Sequence, residues 1–144
     1  MQKRNNLWAI LYVSSAMKDL SPADVEYYLN LNKEFRIKSQ ISGIVVLAQN
    51  NVLVLQEGEK ENVKTEFEAE KKHPAQHSLI KVFDGPIEGR YFEDFPLAFK
   101  PIGNPDLAHL DDFTKPNTKE YLDEILDLDQ SVPKIIKEFI QNNS

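Results

Sequence analysis

Tyr12 lies inside the apolar run Ile10-Leu11-Tyr12-Val13-Ser14. A phenol there packs its ring against apolar neighbours and still needs a hydrogen-bond partner, and it is the chain's one obvious redox-capable group in such a setting, although structural tyrosines are commoner. The histidines are His73, His77 and His109. The first two are four residues apart, but Pro74 spoils the helical spacing that a shared metal needs, so all three read as surface groups. Carboxylates gather in a charged segment after residue 59, at Asp111-Asp112 and from Asp123 to Asp129, where solvated faces account for them and no acid–base pair emerges. With no cysteine, disulfides, thiolate metal sites and cysteine nucleophiles are excluded. The five glycines are not spaced as a phosphate-cradling loop. Redox chemistry would have to come from a bound cofactor, and no metal site or catalytic residue is assigned.

The 144 residues suffice for one domain and an appendage. A formal net charge of −6 repels phosphate backbones, and no basic patch offsets it, so neither nucleic acid nor membrane is an expected partner. Lys3 and Arg4 before the run Leu7 to Val13 loosely imitate a signal peptide. The run is short and carries Trp8 and Tyr12, so it reads better as a buried strand, and cytoplasmic residence is the expectation. Nothing else is long and apolar enough to span a membrane.

The positioning elements follow from pattern. Leu7 to Ser14 is a first strand. Ser21-Pro22-Ala23-Asp24 is a capping box, starting a helix whose apolar positions Val25, Tyr28, Leu29 and Phe35 recur at helical spacing to an end near Arg36 to Ser39. Ile41 to Ala48 and Val52 to Leu55 form a hairpin around Gln49-Asn50-Asn51. Glu57-Gly58-Glu59 breaks the second of these strands, Val63, Phe67 and Glu70 mark a second helix to His73-Pro74, and Ser78 to Asp84 is a fourth strand closed by Gly85-Pro86. Strand, helix, strand, strand, helix, strand is the ferredoxin-like arrangement, an α+β fold with both helices on one sheet face. Phe92 to Phe99 adds a fifth strand. Beyond it come a connector rich in proline and two short amphipathic helices, Lys119 to Leu128 and Pro133 to Gln141 capped at Ser131. The division is 1–100 for the main domain, 101–118 for the connector and 119–144 for the helical appendage, which packs on the open sheet face or on a second copy.

Several segments together resemble the BLUF family, flavin-based blue-light sensors with this same fold. They are Leu11-Tyr12-Val13-Ser14-Ser15, Ile41-Ser42-Gly43, Gln56-Glu57-Gly58, and Ile87, Arg90, Phe92 and Phe95. Each is weak alone, while their order and spacing are fairly specific. The resemblance implies FAD held between two helices and a tyrosine that exchanges an electron and a proton with the flavin through a glutamine. Tyr12 matches that tyrosine. The glutamine position is Val54, with Gln56 on the same strand face about 7 Å further along. The flavin-binding asparagine corresponds to Arg36, with Phe35 before it and Asn32 one turn earlier, about 6 Å away. Contacts near the second helix's end fall at Ala69, Ala75, Gln76 and His77. The signalling tryptophan and methionine become Phe95 and Leu97.

Three lost polar contacts, at about 1–3 kcal/mol each, would weaken flavin binding by roughly two to five orders of magnitude. The expectation is therefore a divergent BLUF sensory domain, not an enzyme, that signals through an unidentified protein partner or a homo-oligomer, with FAD binding or photochemistry impaired. The alternative is a genuine blue-light receptor holding FAD through Tyr12, Asn32, Arg36 and Gln56 in an altered pocket.

Overall fold

The computed structural model describes residues 6–16, 20–72 and 76–144. The first strand, β1, is Leu7–Ala16. Helix α1, Pro22–Ser39, opens on the expected box: the Ser21 hydroxyl accepts from the Asp24 amide and the Asp24 carboxylate accepts from the Ser21 amide, both at 3.1 Å. It stops at Gln40, whose left-handed backbone (φ 56°) turns the chain out of the helix. Strands β2, Ile44–Ala48, and β3, Asn51–Glu59, follow as a hairpin, then α2, Lys60–Lys71, and β4, Gln76–Pro86. Strand β5 is Ala98–Ile102, a 3-10 helix covers Pro105–Leu110, and the chain closes with α3, Pro116–Leu126, and α4, Ser131–Asn142.

The sheet order is β4-β1-β3-β2-β5, with β5 parallel to β2 and the other pairings antiparallel. This is the ferredoxin-like α+β fold with one added strand. Side-chain alternation gives the sheet two apolar faces. Ile10, Tyr12, Val52 and Val54 face α2 through Val63 and Phe67. Ala9, Leu11, Leu53 and Leu55 face the other way, onto Leu122 and Ile125 of α3 and Val132 and Ile136 of α4. The closing helices thus cover the sheet within one copy of the chain, and each of those four side chains contributes about 1.5–3 kcal/mol by leaving water.

Several boundaries differ from the sequence reading. Glu57-Gly58-Glu59 does not break β3: the strand runs through it, pairing Ala9 with Glu57 and Trp8 with Gly58, and α2 begins at the next residue. Gly85 and Pro86 likewise remain in β4, paired with Ala9 and Trp8. The fifth strand starts at Ala98, not Phe92, because residues 87–97 cross beneath the sheet and bury Phe92 before rising to the far edge. The hairpin takes its positive φ (58°) at Gln49, not at an asparagine. The connector holds the 3-10 helix, α3 begins at Pro116 ahead of Lys119, and Ser131 is the first residue of α4 with Gln130 before it. The helix end read at His73-Pro74 lies outside the described residues. Among the described residues, no helix is long and apolar enough to cross a membrane.

Candidate functional site

Helix α1 has 18 residues and buries only Val25 and Arg36. Its inner face leans on Phe99 and on Leu107 of the 3-10 helix, and between it and the sheet lies a cavity of about 100 Å³. Apolar side chains from both helices' side of the sheet, including Val45, Leu47, Val52 and Phe99, make its walls. Its polar lining is Tyr12, Tyr28, Asn32, Arg36 and Glu70. The volume is below the roughly 300–1,000 Å³ usual for a site that encloses a drug-sized ligand.

Tyr12 is fully buried on β1, with its ring edge against Phe67 at a centroid separation of 5.4 Å. Directly opposite it on β3 stands Val54, 3% exposed and also lining the cavity. Gln56 is the next residue on that face, opposite Ile10; it is fully buried, neither its Oε1 nor its Nε2 has a hydrogen-bond partner among the described residues, and it does not line the cavity. Each such orphaned group costs about 1–3 kcal/mol.

Arg36 is 2% exposed, and its Nη1 donates to the carbonyls of Leu55 (3.2 Å) and Pro96 (3.0 Å). Burial lowers its pKa from the usual guanidinium value, while the negative charges of Glu66, Glu70 and Glu57 work the other way. Glu66 and Glu70 lie buried on the inner face of α2. Burial raises the Glu66 pKa and the charge of Arg36 offsets part of that rise. Phe35, the residue before Arg36, points away and is half exposed.

The two residues at the expected signalling positions separate. Leu97 is buried and lines the cavity, whereas Phe95 packs on the opposite face against Phe113 and Tyr121, with ring centroids 5.6 and 5.7 Å away. Ala75 lies outside the described residues, as do the side chains of Gln76 and His77. His109 is exposed. Among the described residues, no group of three or more histidine, aspartate or glutamate side chains is placed to hold a metal ion.

Sequence reasoning missed two features. Glu66 follows Val63 by three residues and precedes Phe67 and Glu70, so helical spacing alone marks it as inward-facing. The second is Glu57, which is fully buried on the sheet face away from the cavity. Its carboxylate accepts from the Tyr91 amide (2.9 Å), the Phe92 amide (2.7 Å) and the Ser42 hydroxyl (2.9 Å), and Arg90 Nη1 donates to that hydroxyl at 3.2 Å. Burial raises its pKa against the pull of these hydrogen bonds. Ser42, Glu57, Arg90 and Phe92, four residues from three of the quoted segments, meet at this node. Tyr121 donates its hydroxyl to the Tyr91 carbonyl, and Tyr91 donates to Gln130, so the node also anchors the closing helices. Burial pushes the Tyr121 hydroxyl up to about 12.

The site is thus a cleft between the helices and a βαββαβ sheet, with a buried tyrosine of the first strand in its lining. The model for BLUF, sensors of blue-light using FAD, matches residues 7–98, and the chain belongs to this family. Among solved structures, BlrB, a BLUF protein in its dark state, aligns with a TM-score of 0.66 at 19% identity, covering 83% of this chain and 93% of that one. Photo-activated BlsA aligns at 0.65 and 18% identity, covering 87% and 98%. BlrP1 from Klebsiella pneumoniae, solved with FMN and cyclic diGMP, aligns at 0.74 and 16% identity; the match covers 94% of this chain but only 34% of that longer protein. No curated protein matches the chain in sequence.

The family uses FAD. The apolar walls of the cleft suit a planar aromatic ring. Its polar lining includes the buried Arg36 guanidinium, and Val54, directly opposite Tyr12, brings no hydrogen-bonding group to it.

Proposed function

We propose that this chain is a divergent BLUF sensory domain whose flavin binding or photochemistry is impaired and which acts by contacting another protein. Residues 1–100 form the sensory unit, 101–118 the connector and 119–144 the helical appendage, whose outer surface is offered to a partner or to a second copy in the cytoplasm. Its proposed role is sensing and contact, with no catalytic activity of its own. The longer BlrP1, with its bound cyclic diGMP, illustrates a BLUF unit joined to further chain.

One observation carries the reading: Val54 is the cross-strand partner of Tyr12. An aliphatic side chain neither donates nor accepts a hydrogen bond, so the hydroxyl of Tyr12 has no amide at that position through which to signal. Gln56 does not replace it, lying two residue pairs further along and outside the cavity.

The test is the flavin content of the protein purified in the dark, measured by denaturing it and recording released flavin fluorescence. The expected content is far below one flavin per chain. Stoichiometric flavin together with a reversible red shift on illumination would defeat the proposal.

A further inference from the structure

Arg36 is buried at the last turn of an otherwise sparsely buried helix, and its guanidinium reaches two carbonyls from different parts of the sheet. Leu55 belongs to β3 and Pro96 to the segment entering β5. A third element comes close, because Glu70 of α2 lines the same cavity as Arg36. One side chain therefore ties α1 to β3 and to the chain entering β5, beside α2. Those are the elements that a ligand seated in the cleft would touch.

We infer that the Arg36 side chain is an internal plug, a specificity-determining residue that fills the polar end of the cleft and excludes a planar heteroaromatic ligand of the flavin class. This deepens the proposed function and rests on the reading of the cleft as the family's cofactor site. Three further observations support it. The space left beside Arg36 is about 100 Å³, and Arg36 itself forms part of its wall. Gly43 borders the plug: a Cβ there would lie 3.2 Å from Nη1, behind the nearer clash with the Leu55 carbonyl oxygen at 2.0 Å. Beyond the plug, the carbonyl that Arg36 holds is that of Leu55, and the residue joined to it is Gln56, whose amide has no partner among the described residues. A guanidinium is costly to bury unless its hydrogen bonds are matched, and here two carbonyls accept from it. A side chain held in this way does not swing aside readily for a ligand.

The test compares the full-length wild type with Arg36→Ala and Arg36→Lys, titrated in the dark with riboflavin and followed by quenching of its fluorescence. Arg36→Ala, checked as folded by circular dichroism, is expected to bind riboflavin about tenfold or more tightly than wild type, and Arg36→Lys to stay near wild type. Folded Arg36→Ala that binds no better overturns the plug, and weaker binding overturns it by making Arg36 a ligand contact. A second measurement needs no variant. In the wild type, the Arg36 guanidinium protons should exchange slowly by NMR and should not move when riboflavin is added. Exchange as fast as that of an exposed arginine, or a shift on titration, would also overturn it. Failure of the broader reading looks different: the wild type itself would carry stoichiometric, photoactive flavin before any substitution is made.

Discussion

Replacing Glu57 by glutamine tests how the closing helices are anchored. The carboxylate accepts three hydrogen bonds, from Tyr91 N–H to Oε1 and from Phe92 N–H and Ser42 Oγ–H to Oε2. Glutamine can keep the pair on one oxygen, but its NH2 group then faces the remaining backbone N–H, donor against donor. One buried amide is left unsatisfied, at about 1–3 kcal/mol, and the two retained bonds lose their charge assistance. Relief from burying a charge works in the opposite direction, since burial raises the Glu57 pKa. The net expectation is destabilisation of about 2 kcal/mol, or ~7 °C in Tm for a chain of this size. The loss should concentrate where the node leads, because Tyr91 supports both Tyr121 and Gln130. Thermal unfolding gives the first number, and native-state hydrogen exchange should show α3 amides losing protection before those of β1. Equal Tm values for Glu57→Gln and wild type would refute this account of the node.

Other expected outcomes are more compact. Gly43→Ala places a Cβ 2.0 Å from the Leu55 carbonyl oxygen at a φ of 150°, so it should cost more than about 3 kcal/mol, and a urea midpoint near wild type would contradict the packing. Removing residues 131–144 uncovers the apolar sheet face beneath Val132 and Ile136, so the truncated chain should aggregate or bind a hydrophobic dye; a monodisperse, dye-silent product on size exclusion would refute that. Glu66 has a folded pKa raised above the ordinary 4.5, so its stabilising contribution is full below that value and is lost as pH rises through the folded one. Glu66→Gln does not titrate, so its stability relative to wild type should be higher at pH 7 than at pH 4, read from urea midpoints at both pH values. The opposite trend would mean that Arg36 outweighs burial at this carboxylate.

Local chemistry made much of the fold legible. Ser21 and Asp24 announced α1 because a capping box satisfies donors within four residues, and the continuous apolar runs of β1 and β3 marked them as buried strands. Legibility failed where the compensating group is distant in sequence. Glu57 reads as a strand breaker because a charge normally seeks water, and only the amides of Tyr91 and Phe92 make its burial possible. Phe92 reads as a strand residue from its neighbours, but it is drawn under the sheet toward Phe113 and Tyr121. At the site, strand parity put Tyr12, Val54 and Gln56 on one face, and helical spacing put Asn32 beside the cavity. That Arg36 points inward, that Phe35 does not, and that Leu97 and Phe95 serve opposite faces depended on contacts no spacing rule contains.

On the proposed reading, Val54 beside Tyr12 leaves no amide for a hydrogen-bond relay, whether or not a flavin enters the cleft. This is tested most directly by a light-minus-dark absorption spectrum of the protein saturated with FAD. The expected difference spectrum is flat apart from slow bleaching. A reversible red shift of the flavin band, recovering in the dark, would contradict it.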